Sequence, residues 1–122
     1  MKSQKFTVIK RVKSFLYALN GLKIDLKEEH NMRIHLLATL CVIVVSIFFN
    51  INVNEWIAVI FAIGLVFAME LINSAVENLA DFISLEKHDS IEKIKDLAAA
   101  AVFVSAIVAL VVGLIIFIPK IV

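Results

Sequence analysis

The sequence predicts an all-α integral membrane protein, in which one amphipathic surface helix precedes three transmembrane helices. The chain has 122 residues, of which 61% are hydrophobic, and its mean hydropathy is +0.97. A soluble domain averages about 45–50% apolar residues, and so short a chain cannot bury the excess in a core of its own. Three long apolar stretches make a lipid bilayer the natural second solvent. Residues 1–122 are therefore expected to form a single membrane-embedded domain.

The first element is a predicted helix over residues 5–28. Apolar residues recur in it at helical spacing, but basic residues interrupt them too often for the segment to span a bilayer. This pattern is typical of an amphipathic helix that lies in the membrane surface and turns its basic side toward lipid phosphates. The apolar positions include Val8, Val12, Phe15 and Leu19, and the basic ones include Lys10, Arg11, Lys13 and Lys23.

Three apolar segments follow and are predicted to be transmembrane helices, over residues 33–50, 55–81 and 96–118. Their lengths suit a bilayer, which usually takes about 17–25 residues. Trp56 is expected to anchor the second span at the membrane interface, and Pro119 is expected to end the third. The turn "NINVNE" joins the first two spans, and the polar loop "SLEKHDSIEKIKD" precedes the third.

The distribution of lysine and arginine predicts the orientation in the membrane. Seven of these residues lie before Glu28 and three lie in the polar loop, whereas the turn between the first two spans has none. Short cytoplasmic loops carry the excess of positive charge in membrane proteins. The N-terminus and the polar loop are therefore expected to be cytoplasmic.

The stretch "MELINSAVENLAD" places polar residues at the end of the second span. Glu70, Glu77 and Asp81 fall within about 40° of one another around a helix, and Asn73 and Ser74 flank them. A charged group in the hydrocarbon costs at least about 2.5 kcal/mol and usually marks a functional site. Because aligned acids repel one another, a cation must compensate them. The candidates are Mg²⁺, which proteins hold with one or two carboxylates plus substrate phosphates, and lysines from the next loop.

Two further polar clusters, "KEEHNMR" and "EKHDSIEKIKD", are expected at the same cytoplasmic face. Carboxylates with nearby lysines suit phosphoryl transfer, which needs a metal, charge neutralisation and a base for a hydroxyl proton. Gly21, Gly64 and Gly113 are isolated, so the sequence contains neither a P-loop nor a glycine-rich kinase loop. A phosphotransferase with this sequence would have to use helices alone.

Two other functions are compatible with the polar stripe. A small oligomeric transporter or channel could use Glu70 as an intramembrane proton or cation site, although a transport path would require polar groups at both membrane faces. A stripe that only packs helices together would describe a non-catalytic scaffold, at a high cost in stability. Magnesium-dependent ATP consumption that requires a lipid alcohol separates a kinase from both alternatives.

The pattern E-x-x-N-S-A-x-E-x-x-x-D in "ELINSAVENLAD", followed by "EKHDSIEKIKDLAAAAV", closely resembles the prokaryotic diacylglycerol kinase family. The resemblance covers nearly the whole chain, including Tyr17 with "NGL" and the region from Glu29 to Arg33. This family comprises small integral-membrane lipid kinases, among them the undecaprenol kinases. The resemblance implies a bacterial plasma-membrane enzyme with a cytoplasmic active site. It also implies that ATP and Mg²⁺ are used, by a homotrimer whose sites are shared between subunits.

The same resemblance implies roles for individual residues. Glu70 corresponds to the base that deprotonates the lipid hydroxyl, and Asn73 would orient the reacting groups beside it. Glu29 and Glu77 correspond to the glutamates that bind the magnesium of ATP, and Lys95 would contact the ATP phosphates. The other implied nucleotide contacts are Lys10 or Arg11, Tyr17, Asp81, Glu86, His88 and Asp96, besides Glu29 and Glu77, and the implied lipid contacts are Glu70, Arg33 and His35.

Departures from the family pattern indicate the lipid acceptor. His35 stands where the diacylglycerol-specific members are expected to carry an acid, and "DLAAAAV" replaces a more Gly- and Ser-containing start of the last helix. The abundance of lysine, isoleucine and phenylalanine resembles the Gram-positive branch, whose members are largely undecaprenol kinases. We therefore expect undecaprenol to be phosphorylated to undecaprenyl phosphate, with diacylglycerol, giving phosphatidic acid, as the alternative.

Overall fold

The computed structural model describes residues 8–122, and these form four helices joined by short links. The helices are α1 (Val8–Glu28), α2 (His30–Phe48), α3 (Val53–Ile83) and α4 (Asp89–Ile121). The predicted all-helical architecture is confirmed. Residues 5–7 of the predicted first helix lie outside the described residues.

Three of the four helices, α2, α3 and α4, are long and apolar enough to cross a membrane. α2 has 19 residues and measures roughly 28 Å at 1.5 Å per residue, close to the hydrocarbon thickness of about 30 Å. α3 and α4 have 31 and 33 residues and measure roughly 46 and 50 Å. Because most of their charged residues lie at the C-terminal end of α3 and the N-terminal end of α4, these ends form a polar hairpin beyond the hydrocarbon.

The link between α2 and α3 is a tight turn with a capped helix start. Asn50 adopts a φ of 51°, a left-handed conformation that asparagine tolerates better than most residues. The backbone N–H of Glu55 donates to Asn52 Oδ1 at 2.9 Å, and Glu55 Oε1 accepts from the N–H of Asn52 at 3.0 Å. This capping box stabilises the start of α3 inside the segment predicted to be a turn.

The last helix begins earlier than predicted, at Asp89 rather than residue 96. Asp89 and Glu92 occupy its first turn, where negative charges interact favourably with the unpaired N–H groups of a helix N-terminus. The hydropathy of the sequence marks where the hydrocarbon would end, not where the helix begins. The link between α3 and α4 is therefore shortened to residues 84–88.

The predicted end of the last helix at Pro119 is wrong. α4 continues through Pro119 to Ile121, and the N–H of Val122 donates to the carbonyl of Ile118 at 3.1 Å. A proline ring obstructs the turn before it and removes one N–H, but the residues after it can remain helical. Lys120 Nζ also donates to Glu55 Oε2 at 3.0 Å, which ties this last turn to the start of α3.

α3 and α4 pack against each other as an antiparallel pair along most of their length. The Glu55–Lys120 contact joins them at one end, and Lys95 Nζ donates to Asp81 Oδ1 at 2.6 Å at the other. A small apolar core surrounds Val59 and Ile116 near the Glu55 end. This pairing holds the polar part of α3 at a defined height relative to α4.

An apolar groove of about 530 Å³ runs between α2, α3 and α4. It begins at His35 on α2 and extends to Ile121 at the far end of α4. Leu110 and Leu114 line it and are 58% and 47% exposed, so the groove opens sideways to the outer surface of the chain. The groove therefore connects the membrane-facing surface with the polar part of α3.

Candidate active site

Glu70 is the most deeply buried charged residue among those that the structure describes. It is 1% exposed, although α3 reaches it after a long apolar run. Its Oε1 atom lies 3.3 Å from His35 Nε2 on α2, which is ion-pair distance. Apart from this contact, Oε1 has no hydrogen-bond partner within residues 8–122. A buried carboxylate oxygen in this condition is available to accept a proton or a hydrogen bond from a ligand.

Asn73 and Ser74 follow Glu70 by one turn of α3 and are buried as well. They are 8% and 6% exposed, and neither Asn73 Oδ1 nor Ser74 Oγ has a hydrogen-bond partner in the described part of the chain. Buried polar groups normally find partners, because an unmade hydrogen bond costs about 1–3 kcal/mol. These two side chains therefore point to a substrate or a neighbouring subunit that completes the site.

Asp25 on α1 is a member of the site that the sequence analysis missed. It is 4% exposed, and its Oδ2 atom has no hydrogen-bond partner among residues 8–122. It lies close enough to Glu29 and Glu70 to repel both carboxylates. Its charge is the sequence feature that could have identified it, because Asp25 is the only acidic residue between positions 8 and 27 of an otherwise basic helix.

Four acidic side chains thus gather where α1, α2 and α3 meet, and we call them the carboxylate cluster: Asp25, Glu29, Glu70 and Glu77. Partial burial, followed by the negative charges of Asp25, Glu77 and Glu70, raises the pKa of Glu29 above its ordinary value. Glu29 lies between α1 and α2 as the N-cap of α2, whereas Glu77 is half-buried on α3, two turns beyond Glu70. The cluster therefore favours any bound species that brings positive charge.

The residues present fit a magnesium ion that arrives with a nucleotide. Within residues 8–122, no group of three or more His, Cys, Asp or Glu side chains is arranged to hold a metal by itself. Mg²⁺ prefers oxygen ligands and is commonly held by one or two carboxylates together with substrate phosphates. Glu29 and Glu77 supply such carboxylates from two different segments, at a place where repulsion between acids already favours a cation.

A second group of predicted residues lies on the polar hairpin of α3 and α4. Asp81 and Lys95 form its 2.6 Å contact, and Lys95 is also within electrostatic reach of Glu77. His88 Nε2 lies 3.8 Å from Glu86 Oε1 on the exposed link between the helices. Asp96, next to Lys95, is exposed as well. The lysine therefore connects the hairpin with the carboxylate cluster.

The nucleotide contacts predicted on α1 are all exposed. Tyr17 is 70% exposed, and Lys10 and Arg11 are exposed near the start of the helix. Arg33, which is predicted to contact lipid, holds α1 against α2 in the structure. Its Nε donates to the carbonyl of Leu26 at 3.0 Å and its Nη2 to that of Lys27 at 2.9 Å, so it caps the last turn of α1.

Together these features define a class of protein. A buried carboxylate at the end of an apolar groove can take a proton from a lipid hydroxyl. A pair of half-buried glutamates can hold a metal, and a lysine on the protruding hairpin can neutralise phosphate charge. This arrangement is that of a helical membrane phosphotransferase acting at the edge of the bilayer.

Comparisons with known proteins identify the family. The sequence model of the prokaryotic diacylglycerol kinase family matches residues 16–117. The chain is 34% identical over 108 residues to the undecaprenol kinase of Bacillus subtilis (strain 168), which covers 88% of each protein. It is 36% identical over 107 residues to the diacylglycerol kinase of Haemophilus influenzae, covering 87% of this chain and 91% of that protein. The diacylglycerol kinase of Escherichia coli (strain K12) is 29% identical over 100 residues, or 82% of each chain.

The chain therefore belongs to the prokaryotic diacylglycerol kinase family. The family predicted from "ELINSAVENLAD" is confirmed, and so is the predicted enzyme class, a lipid kinase.

Proposed function

We propose that this protein transfers the γ-phosphate of ATP to a membrane lipid alcohol, with undecaprenol as the acceptor and Mg²⁺ as the cofactor. The observation that carries the proposal is the position of Glu70. Its buried, unpartnered carboxylate oxygen lies beside His35, where the apolar groove begins. A hydrocarbon chain in the groove would have its hydroxyl group next to this oxygen.

In the proposed mechanism each polar group has one task. Glu70 accepts the hydroxyl proton as the hydroxyl oxygen attacks the γ-phosphorus, and Asn73 orients the reacting groups. Glu29 and Glu77 bind the nucleotide's Mg²⁺, which supplies neutralisation of phosphate charge. Lys95 adds a positive charge from the hairpin. The other nucleotide contacts that we propose are Lys10 or Arg11, Tyr17, Asp81, Glu86, His88 and Asp96.

The choice of undecaprenol rests on two supports. One relative of the chain, from Bacillus subtilis, is an undecaprenol kinase. The other is the departure from the family pattern at His35, where the diacylglycerol-specific members are expected to carry an acid. Arg33 and His35 lie on the head-group side, and in this proposal they contact the acceptor.

Diacylglycerol is the second candidate acceptor, because another relative of similar identity, from Haemophilus influenzae, is a diacylglycerol kinase. A transporter is less well supported, since the carboxylate cluster and the polar hairpin both lie toward one end of the spanning helices. The other end offers the Glu55–Lys120 pair, which are partners of each other.

We further propose that α1 lies along the membrane surface, that the N-terminus and the site are cytoplasmic, and that the working enzyme is a homotrimer. The exposure of both apolar and basic side chains on α1 supports the first point, because such a helix is stable where lipid meets water. The unpartnered Asn73 and Ser74 side chains support the last, because a neighbouring subunit could satisfy them.

The experiment that tests the proposal is transfer of radiolabelled γ-phosphate from ATP by the purified protein in mixed micelles. Undecaprenol and diacylglycerol are offered side by side, with Mg²⁺ and with EDTA. We expect label in undecaprenol that depends on Mg²⁺. Label in diacylglycerol alone would retain the kinase and overturn the acceptor, and label in neither lipid from folded protein would overturn the kinase.

A further inference from the structure

Glu70 has to lose its proton again before each new turnover. As the base it takes the proton of the lipid hydroxyl, but at 1% exposure it cannot pass that proton directly to water. A buried base therefore needs a neighbour that exchanges protons and reaches solvent.

His35 has the position and the chemistry for this task. Its Nε2 lies 3.3 Å from Glu70 Oε1, and its side chain is 21% exposed, so the imidazole joins the buried carboxylate to the surface of the chain at the start of the groove. Imidazole is the side chain that takes up and releases protons between about pH 5 and 8. Its two nitrogens allow it to accept a proton on one side and release one on the other.

The charged surroundings of the pair are negative. α1 contributes Asp25, the link after it contributes Glu29, and α3 contributes Glu77 in addition to Glu70 itself. A positive charge that appears for part of the cycle on an imidazole is favoured by such neighbours. The arrangement thus tolerates a transient imidazolium at a depth where an isolated cation would be costly.

We propose that His35 is the proton relay of Glu70, a role that rests on the proposed kinase function. During transfer the lipid O–H bond breaks and its proton moves to Glu70, while the hydroxyl oxygen bonds to the γ-phosphorus. The bond between the γ-phosphorus and the bridging oxygen breaks, and ADP leaves with that electron pair. The proton then moves from Glu70 Oε1 to Nε2 of neutral His35, and from the imidazolium to water.

His35 acts in this scheme through Glu70, as a positioning residue that also carries the proton. Two other roles would use the same contact. His35 could merely orient the carboxylate as a hydrogen-bond donor, or it could serve only to bind the acceptor. The three roles predict different responses to substitution, because only a relay requires a group that titrates.

The test compares His35→Ala, His35→Gln and the matched control His30→Ala in the phosphate-transfer assay, each across pH 5.5–8.5. His30 is an exposed histidine at the start of the same helix and belongs to no part of the site. A relay predicts that both His35 variants lose about tenfold or more in kcat, since general acid–base groups contribute roughly 10²–10⁴. Glutamine keeps an N–H donor but cannot carry a proton. We also expect added imidazole to restore His35→Ala severalfold and saturably, and to leave His30→Ala and the wild type unchanged.

Several outcomes would overturn the relay. Wild-type kcat in His35→Gln would mean that a donor suffices. His35 would have a structural role if His35→Ala lost kcat, kept the pH profile of the wild type and was not restored by imidazole. An effect confined to the KM of the lipid would assign His35 to acceptor binding. An inactive wild-type protein would overturn the kinase function and the relay together, whereas an active wild type with unrescued variants would overturn the relay alone.

Discussion

At the scale of single residues, the behaviour of Glu70 depends on what surrounds its carboxylate. It lies in an apolar helix, with the imidazole of His35 at 3.3 Å from its Oε1 atom. Asn73 and Ser74, one turn away, are buried with unpartnered oxygens. Such an environment keeps the carboxylate away from water and close to an apolar groove, as the proposed deprotonation of a lipid alcohol requires.

Replacement of Glu70 by glutamine should therefore abolish most of the activity. The shape of the side chain is retained while the proton acceptor is lost, so kcat is expected to fall by about 10²–10⁴. The KM for ATP should change little, because Glu70 does not contact the nucleotide in the proposed mechanism. Steady-state kinetics of the radiolabel assay measure both values. Glu92→Gln serves as the control, because Glu92 is an exposed carboxylate of α4 outside the site. Normal turnover in Glu70→Gln would show that Glu70 is not the base.

Glu29 should make the stability of the protein depend on pH and on magnesium. Its pKa is raised in the folded state, first by burial and then by neighbouring acids, so its ionised form is destabilising. This penalty is fully present above the raised pKa and disappears as the pH falls toward the ordinary value of 4.5. In EDTA, the Tm in detergent should therefore rise as the pH is lowered from 7 toward 4.5.

The matching variant is Glu29→Gln, which removes the charge but keeps the side-chain length. We expect it to have a higher Tm than the wild type at pH 7 in EDTA and a flatter dependence of Tm on pH. In the transfer assay, its activity should increase much less than that of the wild type when Mg²⁺ is added. Thermal unfolding followed by circular dichroism checks the first two points. A pH dependence identical to that of the wild type would show that Glu29 does not carry the penalty.

Helical spacing was sufficient to align Glu70, Asn73 and Glu77, because residues of one helix report their mutual geometry through the sequence alone. Asp25 could not be found in this way. Its burial depends on how α1 crosses α3, a contact between segments that are far apart in the chain. The same is true of the His35–Glu70 contact, which joins two helices and gives His35 a neighbour that no motif specifies.

At the scale of helices, the three spans were predictable from their apolar length, whereas their ends were not. α3 and α4 are longer than the hydrocarbon is thick. The apolar stretch that hydropathy detects therefore ends before the hydrogen-bonded helix does. Pro119 was misleading because it stands in the last turn, where few helical hydrogen bonds remain to be lost. The extra turns matter, since they form the hairpin that carries Lys95.

Lys95 should contribute to nucleotide affinity without affecting the lipid. It stands on the hairpin, within reach of Glu77, and is held there by its contact with Asp81. We expect Lys95→Met to raise the KM for ATP by roughly tenfold or more, because a charge-assisted contact to phosphate is lost. The KM for the acceptor should stay within about twofold, since the lysine lies away from the apolar groove.

Lys93→Met is the matched control, because Lys93 is an exposed lysine two residues away with no role in the proposed site. Substrate titrations of ATP and of the lipid, each at saturating levels of the other, separate the two constants. Equal effects of the two lysine variants would indicate a general influence of hairpin charge, and would argue against a specific contact through Lys95.

At the scale of the whole molecule, one chain leaves much of its apolar surface uncovered. Phe61 on α3 and Phe103 on α4 are 75% and 66% exposed, and lipid or neighbouring subunits must cover such side chains. Tyr17 and the start of α1, with Lys10 and Arg11, are exposed in one chain. A homotrimer with shared sites would bring α1 of one subunit to the cluster of the next.

Mixed trimers provide the test of shared sites. Glu70→Gln and the double variant Lys10→Met with Arg11→Met should each be inactive or nearly so. If α1 serves a neighbouring cluster, random assembly of equal amounts should restore about one quarter of wild-type activity, because that share of sites draws both groups from intact chains. Activity is measured after co-dissociation and reassembly in detergent. The control is a mixture of Glu70→Gln with Glu77→Gln, which should recover no activity because both residues belong to the cluster of one chain. Absence of recovery in the first mixture would place the whole site within one chain.

In the proposed mechanism, the sideways opening of the groove at Leu110 and Leu114 would let the acceptor enter from the bilayer. A long-chain alcohol can slide in from the bilayer, and its phosphorylated product can slide out, without either chain meeting water, which would cost about 0.8 kcal/mol for each methylene. Diffusion to the enzyme then takes place in two dimensions. Turnover should follow the mole fraction of the alcohol in the membrane and be indifferent to its total concentration in the sample.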